Sequence, residues 1–468
     1  MVKIMETANV VLKHFPAPKK DCSLVPVSLT DETIAERRAK ILARMESMGI
    51  EQLVVYGDVE HGDNFEYLVG FFPRFEEGLL VIDGSGSMSI VLGNENLNKS
   101  SKARISMDST VHVSLFSLPN QPQRDDKTLV ELLEDAGIRR GVSTGLVGWK
   151  MFTSPVEDNE HLYDLPSYVV DAIRSVVGDD DLLVNACGLF IGDGGARTTM
   201  NANELAHYEF GAALASDCML DAMDAVEVGA SELDLGDKLV RYGQHTSVVT
   251  IAAAGPRFVK ANMYPTDHMV EEGDTISLTV GYRGGLSSRA GYAVGEASGL
   301  PASARDYIDR VAAPYFAAYA TWLETIRVGM TGGELFDVIE GVLPRSEYGW
   351  SLCPGHLTAE EEWLSSPIYE GSAQLLKSGM MLQVDIIPSV SGYGGVSAES
   401  TIALADEALR RELEAEYPEL WKRICERRAY IKSMLGIHLS DDVLPMCSTV
   451  AYLRPFLLDK EAAFACES

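Results

Sequence analysis

The sequence lacks the features that mark a membrane protein or a disulfide-rich secreted domain. No run of about eighteen apolar residues occurs, so a membrane-spanning helix is not expected. Residues 1–6 lack the charged start and the apolar core of a secretory signal, and cytoplasmic residence is therefore the default expectation. The seven cysteines contain no C-x-x-C pair, and their odd number favours reduced thiols over a disulfide framework or a structural zinc site.

Basic residues are also scarce. The chain has 39 Lys and Arg against 69 Asp and Glu, which gives a formal net charge of −30. A surface of this sign repels the phosphates of nucleic acids and of anionic membranes. Neither is an expected partner, although one local basic pocket would be compatible with this total.

The length and composition predict two domains. A chain of 468 residues with 46% hydrophobic residues exceeds what one core usually holds. In the first part, apolar periodicity predicts a helix over 30–48 and strands over 52–56, 78–82 and 89–92. This mixture predicts an α/β N-terminal domain over 1–178, followed by an acidic and glycine-rich connection.

The second predicted domain covers 195–468. Helical periodicity appears over 203–226, 231–242 and 304–327, a strand-rich segment over 247–294, strands over 381–387 and 401–405, and a helical tail over 409–416 and 420–435. The whole chain is therefore expected to be α/β (α+β) in two domains. A tail of this kind packs on its own domain or on a partner subunit, and the sequence does not distinguish these two arrangements.

A series of motifs in the second domain carries a family resemblance. They are Glu204-Leu205-Ala206, Val228 to Glu232, the strand Glu272 to Gly281, Pro354-Gly355-His356, Gly379-Met380 leading to Asp385, and Gly395 to Glu399. In this order they resemble the catalytic domain of the creatinase/prolidase/aminopeptidase P superfamily (M24), which has the pita-bread fold. Tyr67 to Arg74 similarly resembles part of the small N-terminal domain of creatinase and prolidase.

The resemblance implies a metal site with missing ligands. The two family aspartates fall on Thr279 and Ala290, and a shift of one or two residues gives Ser288 or Arg289 instead. The histidine and the two glutamates fall on His356, Asp385 and Glu399. Without bridging carboxylates a metal pair is not expected. No cofactor is therefore predicted, although one divalent ion on the three remaining residues stays open.

Two arginines lie on the same predicted hairpin as the missing aspartates. A guanidinium of Arg283 or Arg289 could fill the vacated space and pair with a site carboxylate. The alternative is that both arginines are solvated.

The remaining polar residues suggest catalysis without metal. In the family, creatinase hydrolyses a C–N bond in a small guanidino compound without a metal ion. Here His356 is the expected general base, and Glu399 or Asp385 would orient it or act as an acid. A nucleophilic Cys353 beside His356 is a further possibility.

The resemblance also suggests substrate-binding residues. Asn262 falls where creatinase has its catalytic histidine, and His268 is the nearest histidine in the sequence. Trp363 falls where many members have a second histidine. Phe72 and Arg74 correspond to an aromatic residue and an arginine that reach a substrate carboxylate from the other subunit, which implies a homodimer.

Three functions therefore remain. The first is a metal-independent, creatinase-like hydrolase of a C–N bond in a small carboxylate-bearing nitrogen compound. The second is a metal-dependent Xaa-Pro aminopeptidase or prolidase-type peptidase with a degenerate site. The third is a non-catalytic binding protein on the same scaffold.

Overall fold

The computed structural model describes residues 5–123, 125–259 and 264–467. The chain forms two compact units: residues 29–198 make one, and the residues up to Ser28 together with those from Thr199 onward make the other. The boundaries of these units differ from those of the predicted domains 1–178 and 195–468. The N-terminal segment, up to Ser28, belongs to the same unit as the C-terminal part. The reason is a strand pairing: β1 (Val10–His14) runs antiparallel to β15 (Ala462–Cys466).

The unit of residues 29–198 is built on one mixed sheet of six strands. Its elements are α1 (Asp31–Met48), β2 (Gln52–Gly57), α2 (Asp63–Val69), β3 (Gly78–Asp83), β4 (Met88–Leu92), β5 (Ser109–His112), α3 (Leu129–Asp135), β6 (Thr144–Val147), α4 (Ser167–Val177), β7 (Leu183–Asn185) and α5 (Gly188–Ile191). The strand order is β5-β4-β3-β2-β6-β7, with antiparallel pairs on either side of β3 and parallel pairs elsewhere. Apolar residues of β2, β3 and α4 form its core.

The other unit contains the motifs of the predicted catalytic domain. Its further elements are α6 (Ala202–Ala225), α7 (Glu232–Leu239), β8 (Ile251–Ala254), α8 (Pro256–Val259), β9 (Thr275–Tyr282), β10 (Gly285–Tyr292), α9 (Ala313–Thr325), α10 (Gly332–Val342), α11 (Arg345–Tyr348), β11 (His356–Leu357), β12 (Met381–Gln383), β13 (Thr401–Leu404), α12 (Glu407–Glu416), α13 (Pro418–Met434) and β14 (Val443–Pro445). The strands form sheets in the orders β10-β9-β8 and β11-β12-β13-β14.

Helix α6 packs very closely on the β9–β10 hairpin. A Cβ atom added to Gly211 of α6 would lie 1.7 Å from the carbonyl oxygen of Arg283, and one on Gly284 would lie 2.0 Å from that of Tyr208. Gly284 also has a φ of 101°, which other residues rarely adopt. Only glycine at both positions allows this contact, which fixes the hairpin against the helix.

The C-terminal tail is held by buried ion pairs. Arg427 of α13 contacts Asp21 and Glu209, with nitrogen–oxygen distances of 2.6 to 2.8 Å, and Arg423 contacts Glu209 at 2.7 Å. Glu209 lies on α6, so the tail packs on its own unit.

Most predicted elements are confirmed, with shifts at their ends. The helix predicted over 30–48 is α1, with the Thr30 side chain capping its first turn. The helix predicted over 304–327 is shorter: a π-helix covers Ile308–Ala312 and α9 follows, with Pro314 in its first turn. The strand predicted over 381–387 ends at Gln383. In the described part of the chain, no helix has the length and apolar character needed to cross a membrane.

Candidate functional site

The strand register brings three predicted residues together. Gln383 of β12 pairs with Thr401 of β13, and the hydrogen bond from Val384 N to Ser400 O continues this register, so that Asp385 lies opposite Glu399. His356 of β11 pairs with Gln383 on the other side of β12. Because side chains along a strand alternate with a period of two, His356, Asp385 and Glu399 project from the same face of the sheet.

The three side chains meet in a buried cluster. The Nε2 atom of His356 lies 3.8 Å from Asp385 Oδ2 and 3.8 Å from Glu399 Oε1. His356 is completely buried, and Asp385 and Glu399 are 4% and 7% exposed. His356 Nε2, Asp385 Oδ1 and Glu399 Oε1 have no hydrogen-bond partner among the described residues. Buried polar atoms in this state are costly unless a proton, water or a ligand satisfies them.

A fourth residue, Glu362, joins this group. Its Oε1 atom lies 3.0 Å from His356 Nε2, closer than either predicted carboxylate. Leu357 and Ser365 form an antiparallel bridge, which folds the intervening loop back over β11. Within that loop the Thr358 hydroxyl donates to the Glu361 carbonyl at 2.9 Å. Hereafter His356, Glu362, Asp385 and Glu399 are called the His356 cluster.

Trp363 lies directly on the imidazole ring. The centroids of the Trp363 and His356 rings are 4.1 Å apart, and their planes differ by 19°. The Nδ1 atom of His356 is 3.1 Å from the carbonyl oxygen of Leu357 and is expected to donate a hydrogen bond to it. This arrangement fixes the ring plane and directs Nε2 towards the three carboxylates.

Burial and crowding perturb the protonation of the cluster. Burial opposes a charge on His356, but Glu362, with Glu399 and Asp385, holds its pKa well above the ordinary value. Burial raises the pKa of Asp385 to about 6, although His356 lowers it. Burial and the charge of Asp385 raise the pKa of Glu399 well above its usual range. Two neighbouring acids that do not both ionise can share a proton.

The hairpin positions of the missing aspartates carry no acid. The hydroxyls of Thr279 and Ser288 lie 2.9 Å apart across β9 and β10. Ser288 N donates to the carbonyl of Glu399, and Ala290 pairs with Ser397. This edge of the hairpin therefore joins the Glu399 segment through its main chain, and its side chains are two hydroxyls and a methyl group.

The structure corrects the prediction for Arg289. Its side chain is buried, but the guanidinium makes no ion pair with a described carboxylate. Instead it donates to the carbonyls of Ser288, Glu399, Thr449 and Tyr452 and to the Ser400 hydroxyl, at 2.6 to 3.1 Å. Since all five N–H groups are used, none remains for a substrate. Arg289 supports the main chain around Glu399, while Arg283 is half-buried on the β9–β10 turn.

Other predicted residues lie away from the His356 cluster or outside the described residues. His268 faces Asp274 at 3.9 Å, at the start of β9. Asn262 lies outside the described residues. No described hydrogen bond joins Cys353 to His356.

Phe72 and Arg74 belong to the other unit. Phe72 is half-buried and Arg74 is exposed. Neither neighbouring glutamate pairs with Arg74: Glu76 accepts bonds from the Asn96 side chain and from two main-chain N–H groups, and Glu77 accepts from Tyr56 and Tyr168.

Sequence reasoning missed Glu362. One signal was present, because three consecutive glutamates, 360 to 362, follow His356 within six residues. The pattern could not say which of them turns inward. In the structure Glu360 is instead bound by the Tyr208 hydroxyl.

Comparisons with known proteins agree with this architecture. Residues 206–406 match the model of metallopeptidase family M24. A search of curated proteins finds no match. Three similar solved structures are an Xaa-Pro dipeptidase from Bacillus anthracis, a prolidase from Pyrococcus horikoshii and an X-Pro aminopeptidase from Thermotoga maritima.

These structures are distant in sequence. The first two have TM-scores of 0.60 at 17% identity, covering 80% and 79% of this chain and 96% and 95% of theirs. The third has a TM-score of 0.58 at 16% identity, covering 79% of this chain and 95% of that one. At such identities the likeness shows the fold alone.

The segment matched by the family model contains the β9–β10 hairpin and the complete His356 cluster. The motifs, the sheet register and the solved folds point to the same relationship. Residues 206–406 are therefore similar to metallopeptidase family M24, and the chain shares its fold with solved prolidases and X-Pro peptidases.

Proposed function

We propose that this chain hydrolyses an amide bond in a small, carboxylate-bearing compound such as a short peptide, with a metal-dependent site that has lost part of the family ligand set. The names of its structural neighbours, an Xaa-Pro dipeptidase and a prolidase, support this class of substrate. The observation that carries the proposal is the convergence of His356 Nε2, Asp385 Oδ1 and Glu399 Oε1, all buried and without a hydrogen bond from the described residues, with Glu362 Oε1 3.0 Å from His356 Nε2.

The donor types in this cluster suit one divalent ion. Imidazole nitrogen and carboxylate oxygen are suitable ligands, and three protein ligands are enough for a catalytic site with an open position. A second ion does not fit, because Thr279, Ser288 and Ala290 offer no carboxylate to bridge two cations. When bound, the ion would polarise the scissile carbonyl and acidify a water molecule.

The protein groups would orient and move protons. The hydrogen bond from His356 Nδ1 to Leu357 O and the stack with Trp363 hold the imidazole in one orientation. As ligands of the ion both acids would be ionised, so the raised pKa of Glu399 makes it a proton donor to a leaving nitrogen only in a site without metal. Trp363 limits access of bulk water to this side of the cluster.

A second candidate is creatinase-like hydrolysis without metal. It is favoured by the 3.0 Å contact between His356 Nε2 and Glu362 Oε1, since an imidazolium already gives the carboxylates a positive partner. In this version His356 itself would exchange protons with water and with the leaving nitrogen.

Several expectations accompany both candidates as proposals. They are residence in the cytoplasm, assembly as a homodimer, and recognition of a substrate carboxylate by Arg74 with Phe72. The exposed position of Arg74 supports the last of these, because an arginine at the surface can meet a ligand from solvent.

The experiment is a substrate panel assayed with the protein and two histidine variants. The panel contains Xaa-Pro dipeptides and small guanidino and amidino acids, each tested with added Mn²⁺ and after dialysis against a chelator. His356→Gln should lower kcat/KM by about 10²-fold or more. The exposed His438→Gln serves as the matched control and should retain full activity.

The outcomes separate the candidates. Activity that disappears on chelation and returns with Mn²⁺ supports the peptidase, while activity unchanged by chelation supports the creatinase-like reaction. Full activity of His356→Gln, or no turnover of any panel member under either condition, contradicts both. The melting temperature of each variant shows whether a loss reflects unfolding.

A further inference from the structure

We infer that Glu362 is a ligand of a single divalent cation, completing with His356 and Glu399 a mononuclear site that takes the place of the family's metal pair. This inference rests on the proposed function, but it concerns a residue that the family resemblance does not assign. Glu362 reaches the cluster from the loop after β11, whereas the missing aspartates would have come from the β9–β10 hairpin.

The distances suit one small cation. His356 Nε2, Glu362 Oε1 and a Glu399 oxygen all lie within 4.8 Å of one another, and the first two are 3.0 Å apart. Ligand atoms around a tetrahedral ion with bonds of about 2.0 to 2.1 Å are separated by about 3.3 Å. Asp385 Oδ2 lies 3.8 Å from His356 Nε2, next to these ligand atoms, and the three ligands leave one position of the ion open.

The charge balance also calls for a cation. Three carboxylates face one imidazole, and two of them, Asp385 and Glu399, are more than nine-tenths buried. Arg289 is the nearby guanidinium, but its donors are used on main-chain carbonyls and the Ser400 hydroxyl. Three acids beside one imidazole in this largely buried cluster cannot all ionise unless more positive charge is present, and one divalent ion would supply it.

The local fold supports Glu362 in this position. The Leu357–Ser365 bridge and the hydrogen bond from Leu364 N to Leu357 O tie the loop to the strand that carries His356. The stack of Trp363 on His356 fixes the neighbouring residue as well. The Glu362 side chain remains 18% exposed, so it lies where an ion and a substrate could enter the otherwise buried cluster.

Manganese binding tests the inference without an activity assay. Titration of the metal-free protein with Mn²⁺, followed by the electron paramagnetic resonance signal of free Mn²⁺, gives stoichiometry and Kd. The wild-type protein should bind one equivalent, and Glu362→Gln should raise Kd at least about tenfold. Glu370→Gln, which removes an exposed glutamate paired with Arg345, is the matched control and should bind as the wild type does.

Three results would overturn the inference: no Mn²⁺ bound by the wild type, two equivalents bound, or the same Kd for Glu362→Gln. Melting temperatures in metal-free buffer ensure that a weak-binding variant is folded. The outcome is separate from that of the hydrolase proposal. Metal-free turnover with no Mn²⁺ binding would reject the mononuclear site and the metal-dependent reaction and leave the creatinase-like reaction, whereas binding of one Mn²⁺ that Glu362→Gln weakens, without turnover, would reject the hydrolase alone.

Discussion

The indole ring of Trp363 covers the imidazole ring of His356, with centroids 4.1 Å apart and nearly parallel planes. Trp363 falls where the family resemblance places a second histidine, so an apolar ring stands where a proton donor was expected. Trp363 therefore positions the His356 ring, because a stacked imidazole cannot rotate away from the carboxylates.

Shortening Trp363 should reduce turnover. Trp363→Ala removes a stacking contact of about 1 to 2 kcal/mol, which corresponds to about a tenfold fall in kcat/KM. Trp363→Phe keeps an aromatic face and should restore most of the activity. Steady-state kinetics on the best substrate would decide, and equal rates for the Ala and Phe variants would show that the stack has no role in positioning.

Arg289 should prove structural. Arg289→Lys retains a positive charge but cannot reach the same five acceptors, so we expect the free energy of unfolding to fall by about 3 kcal/mol or more. KM of the folded variant should remain close to the wild-type value. Denaturant unfolding together with kinetics checks both statements. A large rise in KM with unchanged stability would contradict the structural role and would indicate that Arg289 binds substrate.

The buried Glu209 network should be sensitive to loss of one partner. Glu209→Gln leaves Arg427 buried with reduced compensation, and we expect a loss of about 3 to 5 kcal/mol in unfolding free energy. The exposed pair of Arg411 with Glu407 gives the control, since Glu407→Gln should cost about 0.5 kcal/mol or less. Urea unfolding of both variants measures this difference.

The same network predicts a pH effect. Burial opposes ionisation of Glu209, but Arg427 and Arg423 lower its pKa below the usual value. The folded state therefore binds the proton less readily than the unfolded state. The stability that Glu209 contributes is present above its ordinary pKa and is lost as the pH falls. The difference between wild type and Glu209→Gln should accordingly shrink in acid.

Asp217 should show the opposite dependence. Burial raises its pKa from 3.8 to about 6, although the main-chain N–H groups of Cys22 and Asp21 bind its carboxylate. Its contribution to stability is complete below the unfolded pKa and is lost as the pH rises through 6. Relative to Asp217→Asn, the wild type should gain about 2 kcal/mol between pH 7.5 and 4.5. Parallel unfolding curves at the two pH values test the sign, and a gain on going to higher pH would contradict it.

Local patterns predicted the elements that depend on neighbouring residues. The helix over 30–48 and the strands that form β3 and β4 follow from spacing alone, because they need only contacts within a few residues. The motif order also predicted which residues share the site: His356, Asp385 and Glu399 meet because their strands are neighbours in one sheet.

Long-range packing determines the orientation of side chains that sequence spacing does not predict. The sequence placed Arg289 on the correct hairpin, but only the folded chain shows that its donors turn to the carbonyls around Glu399. The inward turn of Glu362 likewise depends on the Leu357–Ser365 bridge.

The sequence by itself determined the class of fold, the acidic surface and three polar residues of the site, since these follow from composition and from ordered motifs. Only the tertiary structure decided that the N-terminal strand pairs with the C-terminal one. It also decided that the Glu362 side chain lies beside His356 and that the Arg289 guanidinium binds main-chain carbonyls and not the site carboxylates. The reason is physical: backbone preferences act within a few residues, whereas the partners of a buried charge are set by whichever distant groups the packed chain brings within about 3 Å of it.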